Sequence, residues 1–390
     1  MRSVKEADVR GRYVLVRAGF DVPLKNGKVS DDKRLRASLP TINLLRKKKA
    51  KIIIISHLGR PNGKVVDELR LAPVAKALSK ILKYPVQYEP DCIGSDVEER
   101  VREMHDGDVL LLENLRFYPE EEADDRGFAQ KLASFSDVYV NDAFSVCHRA
   151  HASIHAITKF LPSYAGLSLE KEVEMLSGLL KNPKRPFIAI MGGAKVSDKI
   201  GVIENLLKKV DSVLIGGAMM FTFYKALGYE IGSSKFEPDK VALAKSLLKK
   251  GKKKIFLPAD VVVAASTEAE DEKVYRVNKM PKSVMGLDIG PETRAIYAEI
   301  IKEAKTVFWN GPMGMFEKKP FDKGTNAIAK AMAGCKGITV IGGGDSVAAI
   351  EKLKLEKKFS HVSTGGGASL EFLEGKKLPG IQALNDNILD

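Results

Sequence analysis

Cysteine is scarce in this chain of 390 residues: Cys92, Cys147 and Cys335 lie far apart and form no CxxC. That spacing excludes a disulfide framework and a metal ribbon, and leaves three thiols expected to be buried. Long apolar runs are missing too. Those present, such as Ile52 to Ile55, are strand-sized, and the basic N-terminus has no signal-peptide apolar core. Neither membrane insertion nor secretion is expected, and we read the protein as cytoplasmic. Aromatic residues make up only 7% and no nucleic-acid motif occurs, so the net charge of +13 is not expected to serve DNA or RNA. Absent as well are GxxxxGKS or GxxxxGKT, HExxH, and a GxGxxG placed as a dinucleotide fold requires. A standard P-loop, a zinc-protease helix and a Rossmann NAD site are thereby set aside.

What the chain does contain is an ordinary soluble balance, 44% apolar and 29% charged, over a length that suits two domains. Short β-rich runs alternate with segments of helical period throughout, the pattern of a parallel sheet covered by helices. The strands expected are Tyr13 to Arg17, Lys51 to Ser56, Val109 to Glu113 and Val138 to Asn141. Further along come Pro186 to Met191, Ser212 to Ile215, Thr306 to Trp309, Gly337 to Ile341 and a short one before Ser363. Between the halves Leu169, Val173, Leu176 and Leu180 recur at helical spacing and Asn182-Pro183 supplies a stop, so Ser168 to Lys181 is read as a connecting helix.

The two halves differ at the ends of their strands, where open α/β sheets place ligands. In the first half the strands run into basic groups: Arg17, then Ser56-His57-Leu58-Gly59-Arg60, then Arg116, then Asp142 to His151 with Arg149, while Arg34 lies in a polar connection. Guanidinium forks grip carboxylate and phosphate bidentately, so this set predicts a pocket for a small, highly anionic molecule. His148, His151 and His155 have the spacing of one helical face. Arg149 among them would repel a cation, so anion binding or packing is expected there in place of zinc.

In the second half the strands run into glycine: Gly192-Gly193, Gly216-Gly217, Gly342-Gly343-Gly344 and Gly365-Gly366-Gly367. Glycine turns bring backbone N–H groups close to an anion, and a helix after the turn adds its positive end. Lys195 and Lys199, four apart, are expected on one face at a helix start, facing either phosphate or solvent. Asp345 beside the triple glycine is read either as a ligand of nucleotide-borne Mg²⁺ or as a helix N-cap. A basic pocket with a polyphosphate cradle implies phosphoryl transfer between a nucleotide and a small acid. A carboxylate acceptor is already ionised at neutral pH and needs no general base.

The blocks SHLGRP, LLENLRF, VNDAF followed by HRAH, GGAKVSDKI, MGLDIGP, WNGPMGMFE, IGGGDS and HVSTGGGASLEFLEGKKLPG occur in that order and resemble the phosphoglycerate kinase family across essentially the whole chain. The resemblance implies two Rossmann-like, three-layer α/β/α domains with mainly parallel sheets: an acid-binding domain over 1–167, a connecting helix and hinge over 168–184, a nucleotide domain over 185–372, and a tail over 373–390 returning to the first. It implies a monomer exchanging a phosphoryl group between 1,3-bisphosphoglycerate and MgADP. By motif match, Arg34, His57, Leu58, Gly59, Arg60, Arg116 and Arg149 would bind the acid, with Arg17 and His151 in support. Arg34, Lys195, Lys199, Gly343 and Gly366 would assist the transfer.

The same match gives Gly193, Lys195, Lys199, Gly216, Gly217, Gly286, Leu287, Asn310, Pro312, Glu317 and Gly342 to Ser346 to the nucleotide, with Gly343, Gly344 and Asp345 inside the last run and Asp345 on Mg²⁺. One departure stands out. Where the family usually reads Arg-Val-Asp-Phe-Asn-Val-Pro, this chain has Gly19 and Asp21 in place of the Asp and the Asn. Asp21 is expected either to replace the lost carboxylate or to repel the acid, and a nucleotide-binding relative with a weakened acid site is the alternative reading. Reaction would require the domains to close, with hinges at the ends of the 168–181 helix and around Ser363 to Gly367.

Overall fold

Runs of β-branched residues that are apolar on both faces form strands only where both faces are covered. Ile52 to Ile55 and Phe187 to Met191 behave so: every one of these side chains is buried. The computed structural model describes residues 1–269 and 271–389; Glu270 and Asp390, which the expected second domain and tail include, lie outside it. The chain divides into two compact units, Met1–Glu174 with Lys377–Asp390, and Met175–Lys376. The division falls inside the helix Leu167–Lys181, one residue longer than its apolar period indicates.

Unit 1 carries a six-stranded parallel sheet in the order Gln87–Tyr88, Val109–Leu111, Lys51–Ile55, Tyr13–Arg17, Val138–Asn141, Ser163–Ala165. Arg17 pairs with Ile55 on one side and Asn141 on the other, so three strand ends open side by side onto one edge. Strand order reverses about Tyr13–Arg17, which makes the crevice beyond Arg17 the natural ligand position. Both ends of the chain belong to this unit. The Met1 ammonium donates to Asn385 Oδ1 at 2.7 Å, Arg2 donates to Asn387 Oδ1 at 2.6 Å, and Asn387 Nδ2 donates to the carbonyl of Thr158 at 2.6 Å.

Unit 2 repeats the plan with Ile255–Phe256, Ser212–Ile215, Phe187–Met191, Thr306–Asn310, Ile338–Gly342 and His361–Val362, all parallel. Met191 pairs with Ile215 and Asn310, and Asn310 with Gly342, so the turns after four strands leave one sheet edge together. A small antiparallel sheet of Asp260–Ala264, Lys273–Arg276 and Met285–Ile289, which the apolar pattern does not announce, stands beside it in sequence and brings Gly286 and Leu287. Both units are α/β. Among the described residues no helix is long and apolar enough to cross a membrane.

Two expectations fail. Residues 147–155 form turns rather than a helix, because Glu121 accepts from the backbone N–H groups of Ala152 and Ser153 and holds the segment away from helical pairing. The three histidines therefore share no helical face, and no cluster of three metal-ligating side chains exists among the described residues. Cys92 and Cys147 are buried, but Cys335 is partly exposed.

Candidate functional site

The basic edge of unit 1 is built outward from a buried guanidinium. Arg17, fully buried at its strand end, donates from Nε to Ser153 Oγ at 3.0 Å, from one terminal nitrogen to the carbonyl of Ala18 at 2.5 Å, and from the other to His57 Nδ1 at 2.9 Å. It therefore stands behind the site and offers no fork to a ligand, unlike the open role its position in the sequence suggests. Ser153 passes its own proton to Glu121 Oε1 at 2.6 Å, and that buried carboxyl is held above its usual range by desolvation. Burial and then Arg17, Arg116 and Arg34 hold His57 well below its ordinary value. Burial, with Arg116 and Arg17, takes His151 down to about 3. Both rings are neutral at physiological pH and act here as dipoles rather than as cations.

In front of them, Arg34 donates to the carbonyl of Asp21 at 2.9 Å and Arg116 to the carbonyl of Gly59 at 2.8 Å. Arg116 also pairs with Glu122 at 3.3 Å and is 6% exposed, so much of its fork is already used. Arg60 and Arg149 are exposed, and among the described residues the Arg60 side chain has no hydrogen bond or ion pair. The segment after Arg17 alternates as expected: Phe20 is buried, while Gly19 and Asp21 lie partly exposed on either side of it. The Asp21 carboxylate accepts from the Gly59 N–H at 2.9 Å and lies 3.8 Å from Arg34 and 3.7 Å from His57 Nε2. It sits amid the cations and partly neutralises them. A Cβ at Gly19 would meet nothing closer than Ser145 Oγ at 3.4 Å, so the backbone there accepts a side chain at its first carbon.

The glycine-rich edge of unit 2 is made of backbone. Gly217, at φ +65°, lies so close to Gly193 that a Cβ would stand 2.4 Å from the Gly193 nitrogen, so a glycine is needed there to build the floor of the site. Gly343, at φ +92°, caps the helix Gly344–Lys352 and lies against Asn310, whose Nδ2 would be 2.9 Å from an added Cβ. Asn310 is 1% exposed; its Oδ1 accepts from Lys199, and its Nδ2 is a buried donor without a partner among the described residues. Lys199 itself is held below its usual range by desolvation, against the raising effect of Asp198 and Asp345.

The expected shared helical face of the two lysines is not formed. The helix begins at Ile200, so Lys199 precedes it and Lys195 projects from the loop, exposed and without a partner among the described residues. Asp345 is not an N-cap either. Gly343 holds that position, and Asp345 sits exposed in the first turn with no hydrogen bond or ion pair to any described residue. Ser346 is buried and accepts the Gly311 N–H at 2.7 Å, which leaves its hydroxyl oxygen committed to the fold. Gly366 caps the short helix Gly367–Leu373.

A cleft of about 460 Å³ brings together Gly193, Gly217 and Asp345, while Lys195, Lys199, Asn310, Gly343, Ser346 and Gly366 are not part of its lining. Its lining runs from Gly286, Leu287 and Gly217 past Pro312 and Glu317 to Gly193 and Asp345. Met220, Phe221, Met285 and Met315 also line it, although their sequence pattern is that of ordinary core; Lys235 and Thr267 join them without any motif to mark them. The cleft thus has an apolar part lined by Met220, Phe221, Met285, Leu287 and Met315, an exposed carboxylate at Glu317, and the free carboxylate of Asp345. One unpaired carboxylate suits Mg²⁺ carried on a polyphosphate, which takes one or two protein carboxylates and completes its shell from phosphate and water.

The whole chain is similar to known proteins of one family. The family model for phosphoglycerate kinase matches residues 4–376. Phosphoglycerate kinase of Dictyoglomus turgidum is 54% identical over 388 residues, 98% of each chain, and that of Pelotomaculum thermopropionicum 51% identical over 389 residues, 99% of each. Among solved structures, phosphoglycerate kinase from Coxiella burnetii aligns with a TM-score of 0.90 at 40% identity over 98% of both chains. The Pyrococcus horikoshii enzyme aligns at 0.87 and 32%, over 99% of this chain and 98% of its own. Two parallel sheets, one edged with cations and the other with glycine turns, and full-length likeness to these enzymes lead to one assignment: the chain belongs to the phosphoglycerate kinase family.

Proposed function

We propose that the basic edge of unit 1 binds the acid and the cleft of unit 2 binds the magnesium nucleotide in the reaction of the family, the reversible transfer of a phosphoryl group between 1,3-bisphosphoglycerate and ADP to give 3-phosphoglycerate and ATP. The observation that carries this is the cleft of unit 2, apolar where a base would lie and reaching the free carboxylate of Asp345, in the first turn of the helix Gly344–Lys352, where a polyphosphate would end. Gly216, Gly217, Gly286 and Leu287 border the base, Glu317 takes the ribose hydroxyls, Asn310 and Pro312 flank the chain of phosphates, and Gly342 to Ser346 receive its end through backbone N–H groups. Asp345 would hold Mg²⁺, which supplies positive charge to the β and γ oxygens when bound.

Arg34, Arg60, Arg116, Arg149, His57 and His151, with the Leu58-Gly59 backbone, hold the acid. Its carboxylate attacks without a base, because a group with a pKa of about 4 is ionised at neutral pH. Lys195, exposed and free, and Arg34 meet the oxygens of the phosphoryl group in flight, and Lys199 with the N–H groups of Gly343 and Gly366 shares that charge. Transfer is direct and in line, on closure of the two units, in a cytoplasmic monomer that acts on small molecules alone. The relatives named phosphoglycerate kinase favour a working enzyme over a nucleotide-binding remnant. An NADH-coupled assay with 3-phosphoglycerate and MgATP tests the reading: the native chain turns over, and Arg34→Ala and Lys195→Ala each lose most of that rate. No turnover by the native chain, or full rates in both variants, would overturn it.

A further inference from the structure

Arg17 is fully buried, each of its three nitrogens makes one hydrogen bond inside the fold, and one of those bonds decides the state of a residue placed at the acid site. A guanidinium carries donors only and stays protonated in proteins. The 2.9 Å contact from Arg17 to His57 Nδ1 therefore requires a lone pair on Nδ1. With His57 neutral, the single ring proton resides on Nε2. That nitrogen is on the opposite edge of the ring, 3.7 Å from Asp21 Oδ2.

The direction of every bond in this array is fixed. Arg17 Nε donates to Ser153 Oγ, so the Ser153 hydroxyl sends its hydrogen to Glu121 Oε1, and the Ser153 N–H reaches Glu121 Oε2 at 2.9 Å. Glu121 and Ser153 thus clamp the far side of the guanidinium while His57 takes the near side. The charged or titratable groups around the ring are Arg17, Arg34, Arg116, His151 and Asp21, of which three are permanent cations.

We infer that Arg17 is a positioning residue that locks His57 as the Nε2–H tautomer, so that the ring presents a neutral hydrogen-bond donor, never a lone pair, to an oxygen of the acid substrate. This rests on the assignment of the basic edge as the acid site. The opposite tautomer would aim a lone pair at an anion, and His57 would then weaken the binding it is placed to support. A single buried cation, 40 residues away in the chain, sets which way the ring is useful.

The test begins with the full chain labelled with ¹⁵N-histidine and free of ligand. A long-range ¹H–¹⁵N spectrum near neutral pH should show His57, assigned through His57→Gln, protonated at Nε2 and bare at Nδ1. A ring protonated at Nδ1, or at both nitrogens, overturns the inference with no variant of Arg17 needed. Next, Arg17→Gln, whose amide can donate or accept, should give mixed tautomers at His57 and raise the KM for 3-phosphoglycerate about tenfold, the size expected for one lost bond to a charged group, while kcat changes less than about threefold. Unchanged tautomer and unchanged KM in a folded variant also overturn it, since a purely structural role would move the melting temperature alone. Arg60→Ala serves as the separate control: it should raise the KM and leave the His57 spectrum as it is. If Arg60→Ala and Arg34→Ala both leave the KM unaltered, the acid-site assignment fails, whereas the spectrum of the native protein judges the tautomer by itself.

Discussion

Unit 1 and unit 2 share one sheet plan and end their strands in opposite ways. In unit 1 the strand ends release side chains that carry charge, and a buried network of Glu121, Ser153 and Arg17 supports them from behind. In unit 2 the strand ends release glycine turns over a floor where Gly217 and Gly193 nearly touch, the N–H groups of Gly192, Gly193, Gly216 and Gly217 being held by backbone carbonyls. Charged forks suit a small acid with several separated anionic groups. An apolar cleft that reaches a free carboxylate suits a magnesium polyphosphate with a flat base. The same scaffold thus presents a cationic edge or a glycine edge according to which residue comes after each strand, and the proposed function gives each edge its own ligand.

The sharpest way to break this contrast is to remove one cation from each side. Arg34→Ala should cut turnover about 10²–10³-fold and raise the KM for 3-phosphoglycerate, while Lys195→Ala should cut turnover by a similar factor and leave that KM alone. Steady-state kinetics with each substrate varied would show it, and a Lys195→Ala defect confined to the acid KM would dissolve the division of labour. Next in size, Gly343→Ala forces a side chain into a φ of +92° against the buried Asn310 amide. It should lower stability by about 1–3 kcal/mol in urea unfolding and raise the KM for MgATP with the acid KM unmoved. An alanine tolerated in both respects would mean the turn is not under constraint.

A milder change addresses the acid site. Gly19→Asp combined with Asp21→Asn removes a carboxylate from among Arg34 and His57 and places one where the backbone accepts a side chain, so the KM for 3-phosphoglycerate should fall severalfold; a constant or raised KM would count against the reading of Asp21. The smallest effect is one the two units have in common. Asp142 in unit 1 and Asp288 in unit 2 are each buried, each accept the N–H of a helix start, and are each pushed up to about 7 by desolvation. A carboxyl raised in this way keeps its proton in the folded state and loses it in the unfolded one. The stability it supports is full below about pH 4 and declines as pH rises through about 7. Asp142→Asn and Asp288→Asn should each flatten the fall in denaturation midpoint between about pH 4 and 7, and an unaltered slope in both would show that these carboxyls are ionised throughout.

Much of this was open to reading in advance because the signals are local. Strands such as Tyr13–Arg17 and Val138–Asn141 declare themselves by composition, and the helix Leu167–Lys181 by its period. Arginines after strand ends and glycines before helices are likewise visible one segment at a time. The rest depends on partners far along the chain. Ser153 meets Arg17 across 136 positions, and only that meeting shows that Arg17 is spent inside the fold. Met220, Phe221 and Met315 line the nucleotide cleft with the residue types of any core. The two-residue strand Gln87–Tyr88 is too short to have a period, and Lys195 and Lys199 have helical spacing without a helix because the turn ends only at Ile200.

The residues Lys377–Asp390 complete unit 1, clasping Met1 and Arg2 after the whole of Met175–Lys376 has formed a separate body. On the ribosome, where synthesis proceeds from the N-terminus, the first unit to begin is consequently the last that can finish. Its opening segments must wait for Asn385 and Asn387 to be made before Met1 and Arg2 find their partners, and the second unit has by then had time to assemble.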